Sequence, residues 1–304
     1  MVVVAAFYRF SNFPSYAEYQ APLAKLGCSS GVKGTILLAR EGVNGTVAGE
    51  RSGVEAVLAA LRAIPGFAAL EHKESEAVRP PFRRLKVRLK KEIVTMGIDV
   101  DVANDVGDYV EPEHWDALIK DPDVLVVDAR NAYEVAIGSF DGAVNPETDA
   151  FGELPGRLDR LAAASGKKKI AMFCTGGIRC EKATAYARRS GFDDVYHLKG
   201  GILKYLEQVE EGEEGEGAWR GQCYVFDERV SVGYGLKPGD YAMCHACGWP
   251  VSPADMRREE FEEGASCHRC VNAYSDADRE RFRERHRQFL RRVAGAADDR
   301  EGNE

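Results

Sequence analysis

The chain has 304 residues, a formal net charge of −8, 44% hydrophobic and 30% charged residues. That length allows two or three domains, and the composition is that of a soluble globular protein. No apolar run approaches the ~20 residues of a membrane span, and the acidic balance means that any nucleic-acid contact must come from a local basic patch.

The N-terminal MVVVAAFYRF has no basic segment ahead of its short apolar run, and no cleavage signature follows. It predicts a first strand, Val2–Tyr8, and no secretory leader, so the cytoplasm is the expected compartment. A helix is predicted over Ser15–Lys25, starting near Pro14. Strands at Gly34–Leu38 and Thr46–Ala48 flank AREGVNGTVAG, where Asn44-Gly45 signals a tight turn. A second helix, Gly53–Ala63, places Val54, Val57, Leu58 and Leu61 on one face, and a strand follows near Phe67–Lys73. The order β-α-β-β-α-β predicts a ferredoxin-like (acylphosphatase-like) α+β domain over residues 1–95.

Within it, RPPFRRLKVRLKKE (79–92) alternates Arg84, Lys86, Arg88 and Lys90 with Leu85, Val87 and Leu89. Period two makes a strand with one apolar and one basic face, like-facing side chains lying ~6.6 Å apart. Such a face can track phosphates, or it can guard a sheet edge against unwanted pairing. Residues 96–121 are expected to connect this domain to the next.

From Asp123 the apolar runs DVLVVDAR, KKIAMFC and DDVYHLKGG alternate with helical stretches. Continuous apolar strands separated by helices predict a doubly wound parallel sheet, hence an α/β domain over 122–208. An acidic, Gly-rich linker is expected at 209–217. A Cys-rich region follows over 218–275, then a charged helix and tail over 276–304, with the final AADDREGNE unstructured. The basic run at 279–292 carries charge nearly all round and reads as a solvated helix.

CTGGIRCEK (174–182) hangs a cysteine on the end of a buried strand, before a helix. Gly176 and Gly177 let the backbone curl so that N–H groups point at the sulfur, and the helix N-terminus adds positive potential. Arg179 adds a fixed charge. All of these favour the nucleophilic thiolate. Cys180 either resolves an oxidised Cys174 as a disulfide or packs inside the helix. Glu181 complements the helix dipole. Cys28 and Cys223 read as packing residues.

The loop Cys174-Thr175-Gly176-Gly177-Ile178-Arg179 resembles the C-x-x-G-x-R loop of rhodanese (sulfurtransferase) domains. VVDARNAYEVAIGSFDGAVN, with its Asp-x-Arg and Glu134, and HLKGGILKYLE extend the resemblance. Ser139 departs from it, standing where many rhodaneses carry histidine. The ring, with four residues between cysteine and arginine, is one residue shorter than the phosphate cradle of related phosphatases and suits a sulfane sulfur. On the loop alone the activity would be sulfur transfer through a Cys174 persulfide. AREGVNGTVAG, PFRRLKVRLKKEIVTMG, FCTGGIRCEKATAY, CYVFDERVSV and GASCHRC together, colinear over about residues 1–275, resemble a narrower family. These are the bacterial rhodanese-domain proteins that act as oxygen-dependent tRNA uridine 34 hydroxylases.

That resemblance implies an oxidoreductase that converts the wobble uridine to 5-hydroxyuridine, with O2 as co-substrate, a separate electron donor and tRNA as partner. Cys174 would add to C6 of uracil, with Arg179 steadying the developing enolate. Arg83, Arg84, Lys86, Arg88 and Lys90 would then contact phosphates. No G-x-G-x-x-G fingerprint of a nucleotide cofactor and no His-rich iron site is present.

Cys244-His-Ala-Cys247 and Cys267-His-Arg-Cys270, with 19 residues between the pairs, match the spacing of a four-cysteine zinc site. A structural Zn stapling a region with little apolar periodicity is the expected role.

Overall fold

The computed structural model describes residues 1–77, 81–209, 217–227 and 229–301, and divides into two units. In the first, which comprises residues 1–228 and 233–237, the N-terminal alternation forms β1 (Val2–Phe10), followed by α1 (Gln20–Ser29), β2 (Lys33–Ala39), β3 (Gly42–Gly49), α2 (Arg51–Arg62), β4 (His72–Ala77) and β5 (Leu85–Leu89). The sheet order is β4-β1-β3-β2-β5, antiparallel throughout except for the β2/β5 pair. This is the ferredoxin-like arrangement with β5 added at one edge. The predicted face of α2 closes the core, with Val54, Val57, Leu58 and Leu61 packed with Phe7, Ile36, Leu38 and Phe67.

Several local expectations shift, each for a packing reason. The first helix begins at Gln20, because Tyr16–Tyr19 is a 3-10 turn whose tyrosines pack on Phe13, the Tyr19 ring at 5.3 Å. The hairpin turn is Arg40-Glu41, and Asn44-Gly45 lies inside β3. Gly45 stands opposite Phe7, where a Cβ would come within 2.7 Å of the ring and 2.8 Å of the Thr35 carbonyl. The glycine thus serves close approach across the sheet. The fourth strand starts at His72, because Phe67 and Leu70 are buried beneath the sheet in the preceding turns. Cys28, expected to pack, is exposed on α1, whose buried positions are Leu23 and Gly27.

The α/β part carries α3 (Val102–Asp105), β6 (Asp108–Val110), α4 (Pro112–Ile119), β7 (Val124–Asp128), α5 (Ala132–Val135), β8 (Gly138–Phe140), α6 (Leu154–Ser165), β9 (Lys169–Phe173), α7 (Ile178–Arg189), β10 (Asp194–Leu198), α8 (Gly201–Gln208) and β11 (Trp219–Gly221). β6-β10-β9-β7 form a parallel sheet. Residues 96–121, expected as a connector, supply β6, an edge strand too short to show periodicity. β11 pairs antiparallel with β8, which ties residues 219–221 to this domain rather than to the Cys-rich region. Of the acidic linker expected at 209–217, residues 210–216 lie outside the described residues.

The two domains of this unit meet at the first turn of α7. The Lys182 ammonium, 2% exposed, sits 2.6 Å from Glu92 and 2.8 Å from Glu41 at the β2–β3 turn, and donates to the Val94 carbonyl at 3.1 Å. Both carboxylates sit in stretches quoted above, AREGVNGTVAG and LKKEIVTMG.

The second unit, described by itself, comprises residues 229–232 and 238–304. It pairs the short strands Ala242–Met243 and Pro250–Val251 and ends in α9 (Asp276–Glu301). The arginines of α9 are offset by carboxylates, Arg283 pairing with Glu262 and Glu280, and Arg287 with Glu280 and Glu284. The helix continues through 296–301, where loss of order was expected; Ala294, Ala296 and Ala297 are strong helix formers there. Among the described residues no helix is long and apolar enough to cross a membrane.

Lys182→Met should leave Glu41 and Glu92 facing one another without their cation. Because both carboxylates keep some solvent, a loss of about 2–4 kcal/mol is expected, read as a lowered midpoint in urea unfolding.

Candidate active site and metal centre

Cys174 closes β9 and is fully buried. The Gly177 N–H donates to its Sγ at 3.2 Å, and α7 begins at Ile178. Burial pushes the thiol up, but hydrogen bonds from the Cys180 thiol and the loop N–H groups, with the Arg179 charge, outweigh burial and hold Cys174 down at about 5. Cys180 moves the other way, well above its ordinary value, through burial and its acidic neighbour. It therefore remains a thiol and donates to the Cys174 thiolate, a role sequence reasoning did not foresee.

Arg179 does not stand free beside the sulfur. Its guanidinium forks onto Glu134, Nη1 to Oε2 at 2.6 Å and Nη2 to Oε1 at 2.7 Å, with Thr175 Oγ1 accepting from Nη2 at 3.3 Å and donating to Glu134 at 3.1 Å. Glu134 is held by the capping box of α5, where it accepts the Asn131 N–H at 3.1 Å. Burial pushes its carboxyl up, yet Arg179 keeps it below the ordinary range. A second buried pair lies alongside, Arg130 donating to both oxygens of Asp128 at 2.8 and 2.6 Å. Ser139, the departure from the rhodanese pattern, donates to Asp128 Oδ2 at 2.8 Å. Gly176 and Ile178 are the only half-buried members of the loop from Cys174 to Arg179; the others are buried.

The N-terminal sheet covers the loop. Tyr8 on β1 donates to Glu181 Oε1 at 3.0 Å, and Tyr109 on β6 donates to Oε2 at 2.7 Å. A Cβ on Gly177, whose φ is +100°, would lie 2.8 Å from the Tyr8 hydroxyl. Glu181 is thus a buried acceptor for two phenols, its pKa raised by burial, and more than a dipole complement. Lys73 on β4 donates to the Gly200 carbonyl. The next residues of that turn bind the loop backbone, Ile202 N to Cys174 O and Leu203 N to Thr175 O, each at 3.0 Å. Burial lowers Lys73 to about 8, while the Cys174 charge works to raise it. Sequence reasoning missed Tyr8, Lys73 and Tyr109: nothing local marks Tyr8 or Lys73 as strand residues that reach another domain, and Tyr109 lies in an edge strand of three residues that shows no pattern.

Arg83, Arg84, Arg88 and Lys90 are exposed or nearly so and Lys86 half-buried, on or beside β5, with Leu85 and Val87 packed on the core. This edge is opposite to β1 and β4, which reach the loop; at ~4.8 Å per strand, β5 stands about 14 Å from β1. β5 itself thus stands away from β1, although Glu92, two residues beyond Lys90, reaches Lys182 on α7.

In the other unit, Cys244, Cys247, Cys267 and Cys270 place their Sγ atoms within 4.8 Å of one another. The Cys244–Cys270 and Cys247–Cys267 separations are 3.8 Å, and Cys267–Cys270 is 3.7 Å. Four thiolates at ~2.3 Å from a tetrahedral Zn stand about 3.8 Å apart. The donor set and spacing fit a zinc ion, and are far too wide for disulfides.

Relatives of known name agree with both halves of the first unit. Residues 2–93 match the UPF0176 acylphosphatase-like domain, and residues 111–208 the rhodanese-like domain. A protein of Rhizobium etli is 55% identical over 94% of this chain and 92% of its own length, and one of Agrobacterium fabrum is 56% identical over 94% and 91%. One of Ruegeria pomeroyi is 54% identical over 97% and 98%. All three are named tRNA uridine(34) hydroxylase. The chain belongs to the tRNA uridine(34) hydroxylase family. Membership extends well past the rhodanese loop, into the domain that supplies Tyr8, Lys73, Glu41 and Glu92.

The rate of Cys174 alkylation by iodoacetamide, followed by peptide mass spectrometry, should rise through a midpoint near pH 5 and level off above it. Thiolate is the reactive form, so rate is lost as pH falls through that value. Lys73→Met should move the midpoint upward by roughly 1 unit. Purified protein should carry close to one zinc per chain, and Cys267→Ser should lower both zinc content and melting temperature.

Proposed function

We propose that the protein hydroxylates the wobble uridine of tRNA at C5, giving 5-hydroxyuridine, with Cys174 as nucleophile. Family membership over nearly the whole chain supports the reaction and the substrate. The observation that carries the role of Cys174 is its placement at the end of β9, where its Sγ accepts the Gly177 N–H at 3.2 Å ahead of α7, a setting that holds the thiol down at about 5.

The thiolate sulfur bonds to C6 of uracil, and the C5–C6 electron pair moves toward C5 and O4. After C5 gains oxygen, loss of the C5 proton expels the thiolate and restores the double bond. Overall, one oxygen of O2 enters the base, and the other leaves as water with two electrons from a donor and two protons. Because Arg179 is engaged with Glu134, its work is to fix the loop and bias the thiol, rather than to bind the enolate directly. Cys180 donates to the thiolate in the resting state and would steady it again on release.

The basic edge at β5 would hold tRNA backbone at a distance from the reacting base. The cations there would make binding strongly salt-dependent. Zinc at the cysteine quartet would staple the second unit. A tRNA substrate supports a cytoplasmic location.

The test is nucleoside mass analysis of tRNA from cells that lack the protein, rescued with wild type or Cys174→Ser. Loss of an oxygen-bearing uridine derivative on deletion, restored by wild type alone, is expected. An unchanged profile would sink the tRNA reading and leave sulfur transfer at the same cysteine. Arg84→Ala/Arg88→Ala should weaken tRNA binding and flatten its salt dependence by about two phosphate contacts, with the Cys174 alkylation profile unchanged.

A further inference from the structure

The stretch CYVFDERVSV holds one side chain out of keeping with its surroundings. Cys223, Tyr224 and Val225 are buried, but the Phe226 ring that follows is 62% exposed. It is not loose. Phe226 packs edge-on against Tyr224 at 5.3 Å, and Tyr224 edge-on against Tyr133 at 5.1 Å. Tyr133 immediately precedes Glu134, the partner of Arg179, and the Arg179 guanidinium carbon lies 5.9 Å from the Phe226 ring centroid. A row of three rings therefore ends in an aromatic ring open to solvent, beside the charged pair that frames the cysteine loop.

We propose that Phe226 is a stacking platform for an unpaired nucleobase flanking the target uridine. This deepens the tRNA reading and rests on it. Single-stranded loops are recognised chiefly by stacking of splayed bases on aromatic side chains and arginine planes. Presenting C6 of a uracil to a buried thiol requires that base to leave its stack, so its neighbour loses a stacking partner. Phe226 replaces that partner at the rim. It offers no hydrogen-bonding group, so it accepts any base, and specificity for uridine is left to the loop. Tyr224 and Tyr133 hold the ring from behind, so little side-chain entropy is lost on binding.

The test uses the full-length protein and a synthetic anticodon stem-loop RNA carrying 2-aminopurine on one side or the other of the target uridine. Wild type should quench the probe on one side, and Phe226→Ala should abolish that quenching and weaken binding about 5- to 150-fold. Phe226→Trp should retain both. An abasic nucleotide at that position should weaken wild type by a similar factor and leave Phe226→Ala little affected. Phe226 is largely exposed, so the variants should keep the wild-type melting temperature and the Cys174 alkylation profile.

Equal affinity and quenching in wild type and Phe226→Ala would overturn the platform while leaving the tRNA reading in place. Failure of wild type to bind the stem-loop, with Cys174 still alkylated in the expected pH range, would overturn both.

Discussion

A guanidinium and a carboxylate meeting in the dry interior hold the cysteine loop in place. Arg179 lies one residue into α7 and Glu134 in the short α5, so their two-pronged contact joins separate βα units of the parallel sheet. The carboxylate reaches this position only because α5 is capped through it, and Thr175 closes the remaining valence of the fork. Burying either charge alone would be prohibitive; together they hold the loop in the one shape that aims the Gly177 N–H at sulfur. The Arg179 charge favours the thiolate together with the Cys180 thiol and the loop N–H groups, so the stabilisation is shared among several donors.

The same helix turn carries the second constraint. Glu181 and Lys182 are adjacent in the chain, and both turn toward the N-terminal domain, one to accept Tyr8 and the other to meet Glu41 and Glu92. A rhodanese domain on its own would leave a carboxylate and an ammonium at that surface without these partners. With Lys73 anchored on the Gly200 turn, the acylphosphatase-like sheet supplies part of the electrostatic setting of the cysteine. A site that reads in sequence as the property of one domain is built by two.

Much of this is legible in the sequence. The apolar face of α2, the buried strands at 124–128 and 169–173, the loop at Cys174 and the cysteine quartet follow from periodicity and spacing, which are local signals. What escapes is set by contacts distant along the chain. Asn44-Gly45 carries the residues of a turn, but the Phe7 ring across the sheet claims the space beside the glycine. β6 has three residues, too few for any pattern, and is defined by its pairing with β10. Glu41 and Glu92 stand in plain view inside quoted motifs, yet their purpose depends on Lys182, 90 positions beyond Glu92. The exposure of Phe226 is likewise hard to see in sequence, since it ends the apolar run Cys223-Tyr224-Val225 whose other members are buried.

The enclosure of Cys174 also changes what governs its reactivity. Its donors hold the thiol down at about 5, and yet Cys174 has no exposed surface. For any molecule arriving from solution, the rate of attack is the thiolate fraction multiplied by the fraction of time the pocket stands open. The first factor is saturated near neutrality, so only the second can vary. A small electrophile therefore reaches the sulfur only as often as the loop opens, and a bound substrate that favoured the open form would raise that frequency.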